Sequence, residues 1–121
     1  MNHFSENEIK CKCGKCDGRL DLLDKDFLMK LNQYREKIGR PLTVTSFIRC
    51  PLHPVEAKKA LKGAHTKGCA VDLFCSTSSD RFQMLKLAFD MGFTRIGYAD
   101  NFIHLDTIDS PAFPKNVMWR Y

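Results

Sequence analysis

The sequence has no apolar run near the roughly 20 residues that a membrane-spanning helix requires. Met1 to Lys10 is polar and lacks the apolar segment of a secretory signal, so the expectation is cytoplasmic synthesis without a signal peptide. No internal repeat, low-complexity tract or linker-like stretch interrupts the chain. That excludes solenoids and strings of tethered modules. Neither sign of charge dominates: 19 Lys and Arg stand against 14 Asp and Glu, a formal net charge of +5. Such an excess suits a polyanion, nucleic acid or cell wall, but the bases are interleaved with acids and read first as a solvated mixed surface.

What remains is a chain of 121 residues, 44% apolar and 27% charged. It is long enough for one domain that buries roughly two-thirds of its unfolded surface. Six cysteines, Cys11, Cys13, Cys16, Cys50, Cys69 and Cys75, form an even set. A disulfide framework needs an oxidising setting, and without a signal segment reduced thiols are expected, some of them on metal. Release by cell lysis is the alternative route to disulfides.

Periodicity predicts the elements. Residues 1–19 read as irregular. Asp24 or Asp26 caps a helix with Phe27, Leu28, Leu31, Tyr34 and Ile38 at helical spacing, ended by Gly39 and Pro41. Leu42 to Phe47 is β-branched and reads as a strand. A short helical piece spans 55–61, and Gly63 to Gly68 is a loop. Cys69 to Cys75 reads as a buried strand. Ser78 or Ser79 caps a second helix that stops at Gly92. Two strands, 94–98 and 102–107, flank a tight turn at Ala99-Asp100-Asn101, and the tail from Ile108 to Tyr121 reads as packed irregular structure. The fold class is therefore α+β, a small, mostly antiparallel sheet with two main helices.

Polar residues that break the apolar pattern mark the chemistry. Asp72 sits in an apolar strand, where a carboxylate is costly unless paired or metal-bound. His104 interrupts another strand, and alternation sets Phe102, His104 and Asp106 on one face. His65 lies seven residues before Asp72, with Gly68 between them to turn the chain. Two imidazoles and one carboxylate form the ligand set of a catalytic zinc ion that keeps one position for water. Residue types alone leave other roles open: a strand histidine can be a core group, and a buried aspartate can hold a loop.

Three segments narrow the choice. His65-Thr66-Lys67-Gly68-Cys69-Ala70-Val71-Asp72 resembles the His-x-x-Gly-x-Ala-x-Asp motif of the D-alanyl-D-alanine carboxypeptidase-like zinc peptidases. Phe102 to Thr107 resembles their second motif, a strand carrying the third ligand. Ser46-Phe47-Ile48-Arg49-Cys50-Pro51-Leu52-His53 resembles the Ser-x-x-Arg-Cys-Pro-x-His segment of small phage and bacterial members. The resemblance covers about residues 40–107 in the family's order. It implies a fold shared with peptidoglycan peptidases, phage endolysins and the hedgehog signalling domain. It also implies Zn2+ on His65, Asp72 and His104, and hydrolysis of peptidoglycan stem peptides at D-Ala–D-Ala or L-Ala–D-Glu. Arg49 matches the arginine that holds a substrate carboxylate or polarises the scissile carbonyl, with Ser46 beside it in the substrate site. A phage-encoded enzyme that reaches the wall after release fits this reading.

The sequence departs from the family at two positions. Gly63 stands where many members have Ser, and Asn101 stands where several carry the acid that serves as general base. Asp106, which matches a His-x-Asp pattern of the small phage-type members, and Asp100 are the candidate replacements. A role in anchoring a loop or orienting a ligand stays open for Asp106. Cys11-x-Cys13-x-x-Cys16 has metal-like spacing, and Cys50 or His53 could complete a four-ligand structural site if the N-terminal arm folds back. Free thiols or a disulfide are the alternative. Cys69 and Cys75 lie ~20 Å apart along a straight strand and do not pair with each other. His3 is expected to be disordered, and His53 to be a loop packing residue. Two competing functions stay in view. One is a non-catalytic zinc-containing wall- or protein-binding module of the same fold. The other is a small zinc-ribbon-like nucleic-acid binder, disfavoured because the chain lacks a paired CxxC and a recognition helix.

Overall fold

The computed structural model describes residues 2–121. Ser5 opens a short helix α1, Glu6–Ile9, through a capping box with Glu8, so the arm is more ordered than its composition suggests. His3 is likewise held in place, its Nε2 3.2 Å from Glu36, which corrects the expectation of disorder. Helix α2 runs over Lys25–Ile38; Asp24 accepts the Phe27 N–H at its start, and Gly39 follows its end. Its buried face, Phe27, Leu31 and Tyr34, meets helix α4, Ser78–Asp90, where the Tyr34 hydroxyl donates to the Met84 carbonyl at 2.7 Å. Thr77, one residue ahead of the expected serines, caps α4 by accepting from Asp80 N–H.

Five strands form one sheet: β1 Val44–Ser46, β2 Ala70–Phe74, β3 Arg95–Tyr98, β4 Phe102–Asp106 and β5 Val117–Arg120. Their order is β1-β2-β4-β3-β5, antiparallel except for β5, which runs parallel to β3. The mostly antiparallel α+β reading therefore holds. The irregular tail does not, because residues 117–120 become an edge strand. The helical piece near 55 shortens to α3, Pro54–Ala57, and the Gly63–Gly68 loop contains a 3-10 turn over Ala64–Lys67. Among the described residues, no helix is long and apolar enough to cross a membrane.

Alternation divides the sheet. Val71, Leu73, Ile103, Leu105 and Ile96 are buried with Phe27, Leu31, Met84 and Ala88 in the main core. The opposite face carries the polar residues. The registers place Ser46, Asp72, His104, Gly97 and Trp119 in one row across all five strands. The neighbouring row aligns Ala70, Asp106, Arg95 and Val117. Cross-strand neighbours lie ~5 Å apart, so register alone brings the candidate ligands together.

Candidate metal centre

Asp72 on β2 and His104 on β4 are register partners, and the His104 Nδ1 lies 3.0 Å from Asp72 Oδ1. His65 arrives from the 3-10 turn before β2. The turn closes at Gly68, whose φ is +65° and where a Cβ would lie 2.0 Å from the Leu22 carbonyl oxygen. Only glycine fits that approach. The rings of His65 and His104 meet edge to face with centroids 5.2 Å apart. All three residues are buried, and one donor atom from each lies within 4.8 Å of the others.

The protonation pattern is informative. His65 Nδ1 faces the Phe47 carbonyl, so it must carry the hydrogen and donate. Burial lowers the His65 pKa, which favours the neutral ring. Its Nε2 is then a bare lone pair, buried and without a hydrogen-bond partner, 3.4 Å from Asp72 Oδ1. A lone pair facing a carboxylate is repulsive unless a cation lies between them. A divalent ion with nitrogen and oxygen preferences suits that position. For Asp72, burial works against the charged form, but the histidine contacts outweigh it and hold the carboxyl far below its ordinary range. For His104, burial opposes the imidazolium, yet hydrogen bonds to Asp106 and Asp72 pull its pKa up.

Arg49 braces the centre. Its Nε donates to Ser46 Oγ at 3.0 Å, and its two terminal nitrogens reach Glu56 Oε2 at 3.3 Å and Asp72 Oδ2 at 3.2 Å. Its backbone N–H donates to the His65 carbonyl at 3.2 Å. Glu56, fully buried, also accepts from Lys59 and from Gly63 N–H, which fixes the approach to His65. Ser46 therefore holds the guanidinium in place.

The two candidate bases differ. Asp106 lines the cleft but is 1% exposed, and its oxygens are engaged by Arg95 at 2.8 Å, His104 Nε2 at 2.7 Å and Ile108 N–H at 3.2 Å. Asp100 sits outside the cleft on the β3–β4 turn, its side chain 94% exposed and 3.7 Å from Arg120. His53 caps α3, accepting from Val55 N–H, and is a loop residue as expected.

Residues that sequence reasoning missed complete a cleft of about 410 Å³. Trp119 and Tyr121 lie over His104 with ring centroids 5.3 and 6.4 Å away. Gly97 makes room for them, since a Cβ there would meet Trp119 at 2.7 Å. Arg95 stacks on Trp119 and Phe113 while it holds Asp106. The alternating bulk of Val117, Trp119 and Tyr121 was the available signal for this wall.

A three-residue histidine and carboxylate centre at the floor of a cleft, on a mostly antiparallel sheet, defines a candidate metal-dependent hydrolase. The Peptidase M15 family model matches residues 2–106, and the chain belongs to that family. No curated protein matches the chain. The match ends with β4, so the Trp119 and Tyr121 wall lies beyond it.

Proposed function

We propose that this protein is a zinc-dependent metallopeptidase that hydrolyses peptide bonds in peptidoglycan stem peptides, at D-Ala–D-Ala or L-Ala–D-Glu. The bare, buried Nε2 of His65 facing Asp72, in a chain of a peptidase family, carries the proposal. His65 Nε2, Asp72 Oδ1 and His104 Nδ1 would hold the ion, and three protein ligands suit a catalytic site better than a closed structural one. A zinc ion so held supplies Lewis acidity, which polarises a scissile carbonyl and lowers the pKa of water.

The other residues have separable roles. Arg49 orients Asp72 and presents fixed positive charge at the cleft, where oxyanion character develops. Asp106 is a positioning residue: it fixes the tautomer of His104 by accepting from Nε2. For the base role, Asp106 stands in the cleft with its oxygens hydrogen-bonded to Arg95, His104 and Ile108 N–H, and Asp100 stands outside the cleft on the exposed β3–β4 turn. Phe102, Trp119 and Tyr121 form an aromatic wall for the peptide chain.

A second reading, a non-catalytic zinc-containing wall- or protein-binding module of this fold, rests on one observation. Asp72 and Asp106 are the carboxylates lining the cleft among the described residues, and both are already committed. Incubation of the zinc-loaded protein with purified peptidoglycan separates the two. The peptidase releases D-Ala or stem-peptide fragments detectable by mass spectrometry, stops with a chelator, and resumes when zinc is restored. Saturable wall binding with no fragments released selects the binding module instead.

A further inference from the structure

Far from the histidine centre in sequence, the N-terminal arm folds back on the segment after β1. Ile48 N–H donates to the Ile9 carbonyl at 3.0 Å, and Cys11 N–H to the Gly18 carbonyl at 2.7 Å. This brings Cys11, Cys13 and Cys16 against Cys50, 34 or more residues along the chain. The four sulfurs lie within 4.8 Å of one another. Cys13 Sγ is 3.6 Å from Cys16 Sγ and 3.5 Å from Cys50 Sγ. None of the six cysteines is bonded to another.

We propose that these four cysteines bind a second zinc ion as a closed tetrathiolate site that pins the N-terminal arm to the segment after β1 that carries Arg49. Zinc–sulfur bonds of ≈ 2.3 Å set the sulfurs of a regular tetrahedron about 3.8 Å apart, close to the separations found. Backbone donors are already in place. Lys15 N–H points to Cys13 Sγ at 3.3 Å, Gly18 N–H to Cys16 Sγ at 3.4 Å, and Cys50 N–H to Cys11 Sγ at 3.2 Å. Each donor approaches a sulfur, as a thiolate requires, and the first two repeat the same two-residue step. Charge agrees as well. Four thiolates around a divalent ion leave two net negative charges, and Lys10, Lys12 and Lys15 flank the ligands. A soft, all-sulfur set selects zinc over the hard cations, and four protein ligands leave no position for substrate. The site is therefore structural. His53, the other candidate for the fourth ligand, instead turns its Nδ1 to Val55 N–H.

The geometry also ties this site to the cleft. Cys50 follows Arg49 directly, and Arg49 reaches both Asp72 and the His65 carbonyl. A metal at the cysteines would fix one end of the segment whose other groups brace the histidine centre. This inference does not depend on peptidase activity.

The test uses the full chain, purified under reducing conditions. Metal analysis should find two zinc ions per chain in the wild type and one in His65→Ala. In His65→Ala, the partly exposed Cys13 and Cys16 should resist alkylation until a chelator is added, whereas Cys69 and Cys75 stay buried with or without metal. Cobalt substitution of that variant should give intense near-ultraviolet bands from thiolate-to-cobalt charge transfer. The Cys13→Ser, Cys16→Ser double variant, if folded, should keep one zinc and lose those bands. A folded, reduced His65→Ala protein with no bound metal and with Cys13 and Cys16 alkylated freely before any chelator overturns the proposal. So does a parallel preparation, isolated without reductant, whose four arm-site cysteines are joined in disulfides. Either result leaves the peptidase reading untouched, because the histidine centre is assayed by peptidoglycan hydrolysis.

Discussion

His104 and Asp106, two positions apart on β4, face the same side of the sheet with Nε2 2.7 Å from Oδ2. The strand period of two makes this contact local, and Arg95 on β3 completes it from the register partner of Asp106. The chain Arg95–Asp106–His104 turns the Nδ1 of His104 toward Asp72 and His65. Groups that orient a histidine ligand set its basicity and tautomer.

Asp106→Asn should therefore lower zinc affinity at the histidine centre about 10–100-fold. It should also lower the melting temperature, because Arg95 loses a buried counter-charge. Zinc titration followed by calorimetry, with a thermal melt of the metal-free protein, checks both. Unchanged affinity with lost hydrolysis would return Asp106 to the base role.

Trp119 is the only tryptophan, and its ring lies 5.3 Å from that of His104. A protonated imidazole quenches indole emission, and the contacts of His104 with Asp106 and Asp72 shift its pKa upward against burial, toward that form. His104 Nδ1, which faces Asp72, would have to give up any proton there to hold a zinc ion. Adding zinc to metal-free protein at neutral pH should therefore raise Trp119 fluorescence saturably. His65→Ala should abolish the response, while the Cys13→Ser, Cys16→Ser variant should keep it. No emission change on stoichiometric zinc binding would dissociate the ion from His104.

Part of this architecture is legible in the sequence alone. Asp72 and His104 stood out because a polar group in a buried strand needs a partner, and the strand period put His104 and Asp106 on one face. The cysteine run signalled a site, but its fourth member was not decidable from spacing, since Cys50 and His53 lie only three residues apart in the sequence. The β5 wall was missed for a topological reason. Its parallel pairing with β3 joins segments about 20 residues apart, and its ladder leaves no local turn signal. Arg95 and Glu56 were missed because charged residues normally read as solvated, whereas here each is buried by partners from other segments.

Glu56 gives the centre a pH-sensitive brace. Burial alone would raise its pKa, but Gly63 N–H, Lys59 and Arg49 together bring it below the ordinary value of 4.5. A depressed folded pKa stabilises the protein fully above the unfolded value, and the benefit fades as pH falls through the folded one. Glu56→Gln should cost about 2 kcal/mol at neutral pH, the range for a hydrogen-bonded charge. The gap from wild type should begin to close below about pH 4.5 and vanish under acid. Urea denaturation across that range measures it. A difference that does not change with pH would show that Glu56 acts through packing alone.

Gly97 is where the sheet and the aromatic wall compete for space. It lies between His104 and Trp119 in the central row, and an added methyl would sit 2.7 Å from Trp119 Nε1 and 2.8 Å from the Tyr121 ring. Both contacts are with side chains on, or one residue past, the edge strand β5, so the wall should swing outward while the sheet stays intact. Gly97→Ala is then expected to cost about 1–3 kcal/mol as an overpacked site. It should also shift Trp119 emission to longer wavelength as the indole meets water. Zinc affinity should change little, because His65, Asp72 and His104 keep their own contacts. Peptidoglycan hydrolysis should fall mainly through weaker substrate binding, a rise in KM with kcat less affected. An equal loss in kcat with KM unchanged would instead place Trp119 and Tyr121 in the chemical step.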